Sequence, residues 1–222
     1  MKTVIAGIMG LSLFLSINST AALAASGAAV PMQSGAGVGI NKDIDADADH
    51  MVQKVSDFYK GLNSFSATIV CDMHVDAPTQ NYKNDVQSVF EVRSARPNRI
   101  SFEMKSGQLG GVAKSDGKKV YLYSPKLGDT GVYMAMDAPS NVAALFSKQE
   151  FAFVSGGMSS LSLMEALLSN DPYATIMSGV TGASVVGTEK VDGVQTKHLH
   201  FTQKDLAWDL WVDSGKEPWI RK

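Results

Sequence analysis

The chain has a single cysteine, Cys71, so no disulfide can close within it and its stability must come from a packed core. It also lacks an excess of charge. Against 22 Asp and Glu stand 20 Lys and Arg, a formal -2, too mild to hold a polyanion, which argues against nucleic acid as a partner. No apolar run makes a comfortable membrane span: the longest, Val4 to Ile17, is interrupted by Gly7, Gly10, Ser12 and Ser16. Catalytic signatures are missing too, with no nucleotide-binding glycine loop, no Gly-x-Ser-x-Gly and no His-Glu-x-x-His. Gly107 to Gly111 carries too little pattern for a phosphate loop. No enzyme, cofactor or metal is expected.

What is present begins with a leader. Met1-Lys2 is a short basic start, the apolar run follows, and Ala22-Leu23-Ala24 is a small-x-small cleavage site before Ala25. Residues 1–24 therefore read as a signal peptide, whose removal takes Lys2 and leaves 19 basic against 22 acidic residues, a formal -3. No cysteine lies near the cleavage site to carry the acyl chains of a lipoprotein, so the mature chain is expected in the periplasm without a transmembrane segment. Residues 25–42, rich in Gly, Ala and Ser, have the composition of a flexible linker. Residues 43–222 remain for a single domain.

Asp43, Asp45, Asp47 and Asp49 precede Met51, Val52, Val55, Phe58, Tyr59 and Leu62 at helical spacing, an acidic start to an amphipathic helix that Gly61 ends. The acids lack the glycine and closing glutamate of an EF-hand. From Ser66 the period changes to two. Ala67, Ile69, Cys71, Met73 and Val75 share one side of a strand, which makes the Cys71 thiol packing rather than chemistry. A strand with Val86, Phe90 and Val92 follows a turn at Pro78 and Asn81. Another, with Ile100, Phe102 and Met104, follows Arg96-Pro97-Asn98. Further strands read at Leu109 to Lys114, Lys118 to Ser124 and Gly131 to Met136, with turns at Asp116-Gly117 and Pro125 to Asp129. Helices then intervene: Ser140 to Phe146, a segment that Ser160 caps, and one opened by Asp171-Pro172 and closed at Gly179. Strands return at Ala183 to Lys190, Val194 to Gln203 and Leu206 to Asp213. A curved, one-sided antiparallel sheet with helices against its apolar face accounts for this order, an α+β fold.

Several segments in this order, "RPNRISFEM", "KKVYLYSP", "SNDPYATIMSGV", "GTEKVDGVQTKHLHF" and "WDLWVDSGKEPWIRK", resemble a family of predicted periplasmic proteins of unknown function, DUF2092-type. The resemblance covers about residues 47–222. That family is similar to the lipoprotein carriers LolA and LolB, and the resemblance implies an incomplete β-barrel closed by helices over an apolar cavity. Relatives continue past "PWIRK" through further strands, so Pro218 to Lys222 is expected to be a strand stub of a domain truncated at its C-terminus.

The candidate ligand-lining residues are Ile69, Met73, Val75, Phe90, Val92, Ile100, Phe102, Met104, Leu122, Met134, Trp208 and Leu210, the apolar side of the expected strands. The 11 methionines suit a cavity for an acyl chain and an ordinary core equally. Trp208, Leu210 and Val212 should face inward, while Trp211 lies on the outer surface beside His198 or His200. Those histidines share a face with Thr196 and Thr202 and read as a solvated strand side, because no nearby acid obviously completes a metal site. Asp171 and Tyr173 read as a helix cap and a packing residue. The function expected is a non-enzymatic periplasmic carrier for a lipid, lipoprotein acyl chain or other hydrophobic ligand; the alternative is an envelope-stress sensor or interaction module that binds a protein partner.

Overall fold

The computed structural model describes residues 5–16, 43–77, 82–106, 110–125, 130–155, 162–204 and 206–222. The turns expected at Pro78 and Asn81 and after Pro125, and the cap at Ser160, lie outside the described residues. The acidic start becomes α1 (Ala46–Gly61), with the Asp45 side chain accepting from the Asp47 amide at 2.9 Å. Its apolar stripe, Ala48, Met51, Val52, Val55 and Tyr59, is buried as the spacing requires.

One sheet holds seven strands in the order β1 (Ile5–Ser16), β3 (Ser64–Ala77), β4 (Tyr82–Ala95), β5 (Arg99–Ser106), β6 (Val112–Asp116), β7 (Lys119–Ser124) and β8 (Val132–Asp137). From β3 to β8 it is an antiparallel meander. β1, from the expected leader, pairs with β3 in parallel. A second sheet has the order β11 (Leu206–Asp213), β10 (Val194–Gln203), β9 (Val180–Val191) and β2 (Asp43–Ile44). The incomplete-barrel expectation holds in that neither sheet closes, but the strands form two open sheets rather than one. The division falls where four short helices interrupt the meander: α2 (Ala143–Phe146), α3 (Gln149–Ser155), α4 (Ser162–Leu168) and α5 (Pro172–Ile176). α3 was not among the expected elements. Leu109, the expected start of β6, lies outside the described residues; the strand runs from Val112, after Gly110 with a left-handed φ of 70°.

The "RPN" turn holds these parts together. The Arg96 guanidinium donates to the carbonyls of Tyr59 and Leu62 at the end of α1, at 3.3 and 3.2 Å, and to those of Leu167 and Leu168 at the end of α4, at 3.4 and 3.3 Å. The Asn98 amide donates to the carbonyls of Gly117 and Pro139 at 2.9 and 3.0 Å. A cation at two helix C-termini supplements the bonding of their last carbonyls, of which Tyr59 also accepts from the Leu62 amide at 3.2 Å. At the other end of the chain, Trp219 meets Phe58 edge-on at 4.5 Å. The segment around it adds to the edge of β11 through Trp211 N–H to the Lys222 carbonyl at 2.8 Å and Arg221 N–H to the Trp211 carbonyl at 2.7 Å. Residues 219–222 thus form a short pairing segment on β11.

Candidate functional site: an apolar sheet face and its helical cover

Strand register lines up the sequence-predicted site residues of the seven-stranded sheet. Ile69, Phe90 and Met104 stand opposite one another across β3, β4 and β5. Val92, Phe102, Ala113, Leu122 and Met134 form the adjacent row from β4 to β8. Ile100 is buried on the same side of β5, and Met134, at the margin, is half-buried. Met73 and Val75 continue β3 in phase with Ile69, but their side chains lie outside the described part. Trp208 and Leu210 belong to the other sheet: Leu210 is buried in the shared core, and Trp208 stacks on Phe201 at 4.0 Å. The twelve residues therefore divide between two sheets that share one core.

The expected helices at 140–146 and after Ser160 do cover this face, but sequence reasoning missed α3. Phe151 of α3 sits edge-on to Phe102, their ring centres 5.0 Å apart, and 4.8 Å from Phe146 of α2. Leu145, Val154, Met164 and Leu167 complete the buried layer. α3 approaches so closely that a Cβ on Gly111 would lie 2.5 Å from Val154 Cα. Phe151 and Val154 are three apart in a short apolar stretch, a signal too brief to separate helix from loop. Phe90, Val92 and Phe102 have no exposed surface, so the face is filled by the chain's own side chains.

The family model for predicted periplasmic proteins (DUF2092) matches residues 48–222. The chain belongs to that family. Among solved structures it is similar to the Mycobacterium tuberculosis lipoprotein LppX, at 15% identity and a TM-score of 0.41, over 78% of this chain and 84% of that one. A search of curated proteins finds no match. The matched region of this DUF2092 protein contains both the Arg96 turn and the Trp219 segment.

The outer face of the four-stranded sheet corrects one expectation. Two acids do reach the histidines: Asp209 Oδ1 lies 2.8 Å from His198 Nε2 and 2.9 Å from His200 Nδ1, and Glu189 Oε1 lies 3.1 Å from His198 Nδ1. His200 and Asp209 are direct cross-strand partners, which sequence distance hides. Among the described residues these groups do not form a metal-holding arrangement. Trp211 stacks on His198 at 4.2 Å as expected, donates its indole N–H to Glu189, and carries Lys222 Nζ over its ring at 4.8 Å. Thr196 departs from the expected solvent side: it is buried, its hydroxyl donates to the Glu189 carbonyl at 2.9 Å, and a register shift against β9 follows at His198/Leu199, so simple alternation fails there.

The Asp209 carboxyl feels burial, which raises its pKa, and hydrogen bonds from His200 and His198 together with their charge, which outweigh burial and hold it below the ordinary value. A carboxyl depressed in the folded state stabilises fully above its unfolded pKa of about 3.9, and that contribution drains as pH falls through the folded value. Thermal unfolding followed from pH 6 to pH 2 should therefore show an acid limb that Asp209→Asn flattens. An unchanged limb would mean that the cluster contributes nothing to folding.

The remaining sequence candidates are structural. The Asp171 side chain accepts from the Ala174 amide at 3.0 Å, and Tyr173 donates its hydroxyl to Asp49 of α1, a bond that heads the causes raising the phenol's pKa, with burial adding. Cys71 is buried opposite Ser88 of β4.

Proposed function

We propose that this protein is a non-enzymatic carrier, exported to the periplasm with its leader cleaved after Ala24, that shelters a lipid, a lipoprotein acyl chain or another hydrophobic guest against the apolar face of the seven-stranded sheet. The observation that carries the reading is the kind of cover the face has. Five strands present aligned apolar rows, and what lies on them is a layer of helices of four to seven residues, each far too short to persist by itself. Such a layer owes its structure to packing and is displaced by anything that packs as well. An acyl chain entering under α3 would replace the contacts of Phe151 and Val154 with others of the same chemistry, each buried CH2 contributing about 0.8 kcal/mol. No water needs to enter at any stage.

Gly111 supplies the test. Gly111→Ala sets a methyl against the backbone of Val154, which must move. The variant is expected to lose about 1–3 kcal/mol of stability while taking up a fluorescent fatty-acid probe more tightly than the delipidated parent. If neither protein takes up the probe, the carrier reading fails.

A second reading, a sensor or interaction module without a small ligand, is favoured by the filled face: Phe90, Val92 and Phe102 need no guest to be buried. A stable complex with an envelope protein, formed while the core stays empty of lipid, would decide for it.

A further inference from the structure

The seven-stranded sheet ends in β1 and β8, and the four-stranded sheet in the two-residue β2 and in β11, whose outer side carries residues 219–222. β1 lies within the leader that the carrier reading removes, and its removal leaves β3 as an edge strand whose sequence carries Asp72 and Asp76. β8 pairs with β7 alone, and among the described residues no strand pairs with its outer side. An outermost strand presents unpaired N–H and C=O groups, and proteins ordinarily protect one with Lys, Pro, a bulge or a covering loop. β8 reads Val-Tyr-Met-Ala-Met-Asp, without Pro or a basic residue, and its register with β7 shows no shift. Its one charge, Asp137, stands at the end and is held by Lys119 Nζ at 2.7 Å.

The sheet surface next to that edge is aromatic. Tyr121, Tyr123 and Tyr133 are 40%, 43% and 63% exposed, an unusual concentration of large apolar surface for solvent-facing strand positions. Tyr123 stands directly opposite Tyr133, and the Tyr121 ring stacks on that of Tyr133 at 6.5 Å. Beyond Tyr123 lies a hollow of about 200 Å³ bordered by Glu103, Met104, Lys105, Val112 and Pro125. Tyrosine gives large contact area at low cost in side-chain entropy, with a polar tip that tolerates water when the site is empty.

We propose that β8 is a strand-accepting edge: an extended, uncharged segment of a partner polypeptide adds to the sheet there and rests its side chains on Tyr121, Tyr123 and Tyr133. The unpaired backbone of β8 specifies an extended backbone as its complement, since only another strand offers donors and acceptors at the matching spacing. The lack of charge from Val132 to Met136 specifies an uncharged segment, because a charged one would lose hydration without a counter-ion. A second copy of this chain is the weaker occupant, because two six-residue edges meeting about a two-fold bury less than the roughly 1,000 Å² that a stable dimer needs. This inference is independent of the carrier reading, since the tyrosines lie on the side of the sheet away from the helices.

The test uses the full chain and a blocked peptide, acetyl-Thr-Val-Tyr-Thr-Val-Thr-amide, with a twin that is N-methylated at alternate residues. The peptide is expected to bind, to slow amide exchange across residues 132–137, and to lose at least about tenfold in affinity both on N-methylation and against Tyr133→Lys. Tyr133 is exposed enough that this variant should fold, and an unchanged unfolding midpoint would verify it. The proposal is overturned if the peptide does not bind at millimolar concentration, if the methylated twin binds as well, or if protection appears on another strand. It is also overturned if the chain is itself a dimer that Tyr133→Lys dissociates, which would give the edge to a second copy.

Discussion

Phe102→Ala is expected to lower the unfolding free energy by about 4 kcal/mol. Phe102 has no exposed surface and stands in the middle of the apolar face, 5.3 Å from the Phe90 ring and 5.0 Å from that of Phe151. Its removal costs the transfer free energy of the ring, the contacts of two aromatic neighbours and a cavity that strands on both sides cannot close. Urea denaturation should show the loss as a lower midpoint at unchanged slope. Met134→Ala, at the half-buried margin of the same row, should cost about 1 kcal/mol, since most of a large-to-small penalty follows burial. A Phe102 variant that loses under about 2 kcal/mol would mean that the face is already open in solution, and the cover would then not be a packed layer. The same variant bears on the carrier reading: a fatty-acid probe that fills the cavity should restore part of the lost stability by mass action.

Arg96→Met should cost about 3 kcal/mol. Its four hydrogen bonds are long, 3.2 to 3.4 Å, and the side chain is only partly buried, so they do not sum at the full value for charged pairs. The loss comes from elsewhere as well. The Leu62, Leu167 and Leu168 carbonyls lose the guanidinium as donor, Tyr59 keeps only the Leu62 amide, and two helix C-termini lose the cation that opposes their dipoles. Burial lowers the guanidinium pKa without discharging it, so the group remains a cation throughout the working range. Arg96→Lys keeps the charge but cannot fork to two helices, and should recover less than half of the deficit. Hydrogen exchange separates this role from general packing: the last turns of α1 and α4 should open first in the Met variant. If the midpoint moves by less than 1 kcal/mol, the turn does not join the helices energetically.

Much of the local structure was legible because its causes lie within a few residues. The acids before Met51 start α1, and Asp171-Pro172 starts α5 through a cap that closes over three residues. Asp192 and Gly193, both at positive φ, 49° and 79°, make the tight turn that two alternating runs around Asp-Gly foretell. The inward alternation of β4, β5 and β7 was correct at each described candidate because a one-sided sheet imposes period two. α3 was missed because its seven residues carry neither a start signal like the Asp171-Pro172 of α5 nor a repeat long enough to read. Thr196 was misplaced because the register shift on β9 breaks that period.

By itself, the sequence determined what depends on neighbours along the chain: most of the elements, the turn at Asp192-Gly193 and the apolar side of the described strands. Only the tertiary structure decided what depends on groups far apart in sequence. The candidate lining falls on two sheets, Phe151 occupies the face, Asp209 sits between two histidines, and one arginine ends two helices. The reason is physical: side-chain periodicity records which way a residue points, whereas register and packing decide what it meets. Phe102 points inward by its place in β5, but that it meets Phe151 follows from the approach of α3 over Gly111.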